Sequence, residues 1–128
     1  MATILLAEDD SSLCTFLKKA LIKAGHDVTS FTDGRSALDA LNNGKNYDLL
    51  LADIVMPGMD GIELAQKATS HTPHLKVMFI TGFAAVAMAR GTKKAENENQ
   101  QPKTPARVIS KPFHLKELVN QVDQLLAA

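Results

Sequence analysis

Two apolar rhythms alternate along the chain. The short continuous run from Thr3 to Ala7 is followed by Leu13, Phe16, Leu17, Ala20, Leu21 and Ala24 at the spacing of one helix face, which predicts a strand and then a helix. Gly25 stands where a C′ glycine ends a helix, and Val28 to Phe31 supplies a second strand. Ala37, Leu38 and Leu41 predict a short helix before Asn42-Asn43-Gly44. The run Leu49-Leu50-Leu51-Ala52 is apolar at every position, as in a strand buried on both faces near the middle of a parallel sheet. Ile62, Leu64, Ala65 and Ala68 carry a third helix, Val77 to Ile80 a fourth strand, and Phe83 to Ala89 a short helical segment. Val108-Ile109 is the fifth strand, and Leu115, Leu118, Val119, Val122, Leu125 and Leu126 line one face of the last helix. Five such units predict an α/β fold, a doubly wound five-stranded parallel sheet with ligands at the carboxyl ends of its strands.

One segment departs from the rhythm. Gly91 to Ala106 contains Lys93-Lys94, Glu96, Asn97, Glu98, Asn99, Gln100, Gln101, Pro102 and Pro105, with almost nothing to bury, and is expected to be a mobile loop. It falls between the fourth and fifth strands, so it reads as an insertion in a single domain spanning residues 1–128. That length suits one core. Fourteen basic and fourteen acidic residues balance, leaving no net charge to draw the chain to nucleic acid or an anionic membrane. The longest apolar runs, Ile4 to Ala7 and Leu49 to Ala52, are far below the roughly 20 residues of a membrane span. Met1-Ala2-Thr3 does not open a signal peptide. The lone Cys14 can form no internal disulfide, and cytoplasm is the expected compartment. His71 and His74 flank Pro73, and His26 and His114 are scattered, so the histidines read as solvated side chains and not metal ligands.

The chemistry gathers at one edge. In a parallel sheet the residues following strands one, three, four and five meet, which brings together Glu8-Asp9-Asp10, Asp53, Thr81 and Ser110-Lys111-Pro112. Two unit negative charges 4 Å apart repel by about 4 kcal/mol at an effective dielectric near 20, so such a cluster calls for cations. A hard divalent ion such as Mg²⁺, bound by one or two carboxylates with waters and phosphate oxygens, is the natural counterion. Lys111 can pair with Asp53 and with an incoming phosphoryl oxygen, and Thr81 can donate to another. With that charge neutralised, Asp53 can act as nucleophile in phosphoryl transfer.

Taken singly, each residue has an ordinary structural reading. Asp10 before Ser11-Ser12 is better placed as a helix N-cap than as a metal ligand. Thr81 could be a routine strand end, Lys111 solvated surface, and Asp53 through Gly61 a Pro/Gly turn. Their joint appearance at one edge of five ordered units is what makes the ordinary readings insufficient.

Leu5-Leu6-Ala7-Glu8-Asp9-Asp10, Asp53-Ile54-Val55-Met56-Pro57-Gly58-Met59-Asp60-Gly61, Thr81-Gly82 and Lys111-Pro112 resemble the receiver domain of bacterial response regulators. The resemblance covers essentially the whole chain and implies a flavodoxin-like fold. It implies Asp53 as phosphoacceptor, Asp9 with Glu8 as the metal-binding pair, and the Val55 carbonyl as a further Mg²⁺ ligand. Thr81 becomes the switch hydroxyl and Lys111 the phosphate-pairing lysine, with a cis peptide before Pro112. Receivers usually carry an aromatic residue three before that lysine, where Val108 stands here. Such a domain is no enzyme beyond its own phosphorylation and dephosphorylation.

The last helix ends with the chain, so an effect through protein contacts is expected. Phe79-Ile80-Thr81-Gly82-Phe83-Ala84-Ala85-Val86-Ala87 and the Ala127-Ala128 terminus resemble a stand-alone type from alphaproteobacteria. That implies an adaptor for ClpXP proteolysis, active when unphosphorylated, as a monomer or weak dimer. The partners implied are a histidine kinase or histidine phosphotransferase, ClpX and its proteolysis substrates. A phosphate shuttle or sink without adaptor role is the alternative. A haloacid-dehalogenase-like phosphatase would place its paired aspartates after strand one, where Glu8 stands two before Asp10. A flavodoxin-like electron carrier would need a Ser/Thr/Gly phosphate loop in place of these three acids.

Overall fold

Alternation of period two along the strands divides the core into two layers. The computed structural model describes residues 2–82 and 106–127. Its elements are β1 (Thr3–Ala7), α1 (Ser11–Lys23), β2 (Asp27–Phe31), α2 (Gly34–Leu41), β3 (Leu49–Asp53), α3 (Gly61–His71), β4 (Lys76–Thr81), β5 (Ala106–Ser110) and α4 (Leu115–Ala127). The five strands form one parallel sheet in the order β2-β1-β3-β4-β5.

Ile4 and Leu6 of β1, Leu49 and Leu51 of β3, and Met78 and Ile80 of β4 face one layer, where they meet Leu17 and Leu21 of α1 and Leu118 and Val122 of α4. The intervening Leu5, Leu50 and Val77 face the other, against Leu64, Ala65 and Ala68 of α3 and Ala37 of α2. All five β3 positions are buried, as its unbroken apolar run predicts for a central parallel strand. Each fully buried Leu or Ile contributes about 1.5–3 kcal/mol relative to exposure.

The helices begin and end on local signals. Asp10, Asp33 and Asp60 cap α1, α2 and α3, their carboxylates accepting from the N–H groups of Ser12 and Leu13, of Ser36, and of Glu63. Gly25, at φ 102°, ends α1. Its N–H donates to the Ile22 carbonyl at 2.9 Å, and that of His26 to the Leu21 carbonyl at 3.1 Å, the paired bonds of a Schellman turn. Lys76 Nζ donates to the Leu125 carbonyl at 2.8 Å and secures the last turn of α4.

Several expectations need correction. Phe16 and Ile62 lie on exposed faces of α1 and α3: Leu17 and Leu64 already fill the core next to them. His26 is not solvated. Its side chain is 9% exposed, its Nδ1 accepts from the Ala2 N–H at 3.2 Å and its Nε2 lies 2.9 Å from Asp123 Oδ1. The helical segment expected at Phe83 to Ala89, and the mobile insertion expected from Gly91, lie outside the described residues up to Ala106, which opens β5. Among the described residues no helix is long and apolar enough to cross a membrane.

Candidate functional site

Adjacent strands set the site. Ala7 of β1 pairs with Ala52 of β3, so Glu8 and Asp53, the next residues, stand side by side at the carboxyl edge. Glu8 is fully buried and Asp53 nearly so, while Asp9 is exposed. One carboxylate oxygen from each of Glu8, Asp9 and Asp53 lies within 4.8 Å of the other two. Lys111 follows β5 and spans the width of β4, its Nζ 3.5 Å from Asp53 Oδ2 and 3.5 Å from Glu8 Oε1. The Lys111 N–H donates to the Thr81 carbonyl at 2.7 Å, and the Lys111–Pro112 peptide is cis.

The electrostatics follow from burial. Removal from water pushes the Glu8 carboxyl up, and the neighbouring Asp53 adds to this against the opposing Asp10 N–H and Lys111, so that its pKa reaches about 7. Burial disfavours the Lys111 ammonium, but Glu8 and Asp53 outweigh it and raise its pKa above the usual lysine value. Glu8 Oε2 accepts from the Asp10 N–H at 3.1 Å. Among the described residues, the buried Glu8 Oε1 accepts no hydrogen bond, an orphaned lone-pair site beside two more carboxylates. Among the described residues, three acids with hard oxygen donors face one ammonium here, a set that fits a divalent cation of the Mg²⁺ class.

The remaining candidates take distinct places. Val55 is exposed, and its N–H donates to Asp53 Oδ1 at 3.2 Å, which orients the carboxylate with Oδ2 toward Lys111. Thr81 is fully buried at the end of β4, its hydroxyl donating to the Gly82 carbonyl at 3.1 Å. Asp10 Oδ1 is occupied by the N–H groups of Ser12 and Leu13 at 3.0 and 3.1 Å, so of its two readings the cap is the one observed. Val108 pairs with Phe79 and is exposed.

The turn after Asp53 is more firmly held than its Pro/Gly content predicts. The Ile54 N–H donates to the Ile80 carbonyl, and the Ile54 carbonyl accepts from the Gly61 N–H, both at 2.9 Å. Met56 and Met59 are buried in the α2/α3 layer. Their spacing of three within an otherwise turn-like stretch was the signal that this loop is anchored.

The sequence matches the response regulator receiver domain over residues 4–123. It is 52% identical along its full length to the response regulator receiver protein CpdR of Brucella abortus strain 2308, of which it covers 99%. That is the stand-alone type which the sequence resembles. The sensor kinase CckA of the same organism is 32% identical over 98% of this chain, which spans only 12% of that longer protein. The crystal structure of a response regulator receiver protein from Sinorhizobium medicae WSM419 superposes with a TM-score of 0.82 at 31% identity, covering 99% of this chain and 95% of that one. The strand order, the edge that gathers the acids and these likenesses agree, and the chain belongs to the response regulator receiver domain family.

Proposed function

We propose that this chain is a single-domain response regulator of a phosphorelay, phosphorylated on Asp53 with Mg²⁺, whose phosphorylation controls its service as a cytoplasmic adaptor for ClpXP proteolysis. The observation that carries this reading is the meeting of Glu8, Asp9 and Asp53 within 4.8 Å, with Lys111 3.5 Å from two of them. Glu8, Asp9, Asp53 and the Val55 carbonyl would hold the ion, whose contribution is to neutralise charge on the phosphoryl oxygens. Asp53 is the nucleophile. One of its oxygens bonds to phosphorus as the bond from phosphorus to the donor's histidine nitrogen breaks, giving an acyl phosphate. Lys111 keeps its charge beside the transferred oxygens, and the Thr81 hydroxyl exchanges the Gly82 carbonyl for one of them.

The phosphodonor is a histidine kinase or histidine phosphotransferase, a proposal supported by family membership and by the likeness to a sensor kinase. The adaptor role, with ClpX and proteolysis substrates as partners, rests on the resemblance to the stand-alone type and on the end-to-end match to CpdR. A phosphatase of the haloacid-dehalogenase kind would need its nucleophile after β1, where Glu8 is buried beneath Lys111 and Asp10 caps α1.

Intact-mass spectrometry with acetyl phosphate tests the chemistry: labelling of wild type with Mg²⁺ is expected, and none in excess chelator or in Asp53→Asn. A ClpX pull-down with phosphorylated and unphosphorylated protein tests the output. Equal binding of the two states would replace the adaptor by a phosphate shuttle.

A further inference from the structure

Both helices that flank the acceptor loop start on glycine, Gly34 for α2 and Gly61 for α3. Neither has positive φ, and alanine is the better helix former, so backbone freedom does not explain them. Space does. A Cβ on Gly61 would fall upon the Asp53 carbonyl oxygen, 2.9 Å from its carbon and 3.0 Å from Ile54 Cα. A Cβ on Gly34 would stand 2.7 Å from the Met59 carbonyl oxygen and 3.1 Å from Met59 Cβ. None of these atoms is the movable tip of a side chain. The start of α3 therefore abuts the peptide of Asp53, and the start of α2 abuts the far end of the same loop. Asp33 holds α2 in place through the Ser36 N–H at 2.7 Å and the Ser36 hydroxyl at 3.0 Å.

We propose that Gly61 and Gly34 are positioning residues of the phosphoryl-transfer site, holding Asp53 and the loop bearing Val55 at one depth by close backbone approach. This rests on the reading of Asp53 as acceptor. A methyl group at Gly61 pushes directly on the Asp53 peptide, whereas one at Gly34 acts through Met59 and the loop, so the first has the larger effect. Neither substitution removes a charge or a ligand.

The test compares wild type, Gly61→Ala, Gly34→Ala, Val122→Ala and Asp53→Asn for the Mg²⁺ dissociation constant, the initial rate of acetyl phosphate labelling and the urea unfolding midpoint. Val122 is fully buried in the α1/α4 layer, across the sheet from the loop, so its truncation destabilises the protein with the loop intact. Gly61→Ala is expected to label about a hundredfold more slowly, the scale of an ångström misplacement, and to bind Mg²⁺ more weakly. Gly34→Ala shows a smaller loss of both, and Val122→Ala keeps both at wild-type values despite a lowered midpoint. Wild-type labelling and Mg²⁺ affinity in Gly61→Ala overturn the inference, as does an equal loss in Val122→Ala at matched stability. Should Gly61→Ala not fold, Gly34→Ala decides by the same criterion. Labelling of Asp53→Asn would overturn the acceptor reading itself, whereas labelling that depends on Asp53 but ignores both glycine variants sinks the positioning inference alone.

Discussion

The Nζ of Lys111 stands 3.5 Å from Glu8 Oε1, a fully buried carboxylate oxygen that accepts no hydrogen bond among the described residues. The same ammonium is 3.5 Å from Asp53 Oδ2, so among the described residues one cation balances two buried acids. Lys111→Met leaves both uncompensated. Removing one partner of a buried pair costs several kcal/mol, and the one-third exposure of the lysine side chain reduces this to about 2 kcal/mol. Urea unfolding in chelator is expected to show that loss, and saturating Mg²⁺ to recover part of it by replacing the missing charge. A variant as stable as wild type in chelator would mean that the lysine does not hold the two acids together.

The raised pKa of Glu8 makes the metal-free protein less stable as pH rises. Its carboxyl moves from 4.5 to about 7, chiefly through burial, so the folded state binds this proton more tightly than the unfolded state. The contribution is fully present below about pH 4.5 and is lost as pH passes through about 7, amounting to on the order of 3 kcal/mol. Glu8→Gln keeps the shape without the ionisation. In chelator, its stability relative to wild type is expected to climb between about pH 5 and pH 8, and parallel profiles would count against a proton on Glu8.

This burial explains what the sequence discloses and what it hides. The order of strands and helices is legible because Leu49-Leu50-Leu51-Ala52 and the face carrying Leu17 and Leu21 report period and burial directly. The gathering of Glu8, Asp9 and Asp53 follows from topology once the strands are parallel. Side-chain depth does not follow. Nothing in Glu8-Asp9-Asp10 says that the first is wholly buried and the second exposed, because that depends on Lys111, more than a hundred positions away, leaning across β4. His26 is obscure for the same reason: its partners Ala2 and Asp123 meet only at the amino edge of the folded sheet. Phe16 and Ile62 mark the reverse limit, since helical spacing admits more apolar residues than the core has room to cover.

Asp9 and Asp10 are neighbours with separable duties. Asp10 Oδ1 is spent on two helix N–H groups, and the bond from its own N–H to Glu8 Oε2 survives any change of side chain. Asparagine caps about as well as aspartate, so Asp10→Asn is expected to bind Mg²⁺ within about threefold of wild type. Asp9→Ala removes a proposed ligand oxygen and a negative charge together, and is expected to weaken binding by about tenfold or more. Isothermal or fluorescence titration separates them, and equal losses would place Asp10 in the coordination sphere.

Thr81 ties the end of β4 to the residue after β5. Its carbonyl accepts from the Lys111 N–H at 2.7 Å, a backbone bond that any side chain preserves, whereas among the described residues its buried hydroxyl donates to the adjacent Gly82 carbonyl at 3.1 Å. On the proposed reading, the hydroxyl is the part that would gain a stronger acceptor once Asp53 carried phosphate. A hydrogen bond to a charged group contributes about 1.5–3 kcal/mol, enough to shift a two-state equilibrium roughly ten- to a hundredfold. Thr81→Ala lacks that difference while retaining Asp53, Lys111 and the carboxylates. It is expected to accept phosphate on intact-mass spectrometry yet bind ClpX equally well with and without it, and Thr81→Ser is expected to restore the distinction. If phosphorylated Thr81→Ala loses ClpX as wild type is proposed to do, the hydroxyl does not carry the signal, and the movement must begin at Lys111.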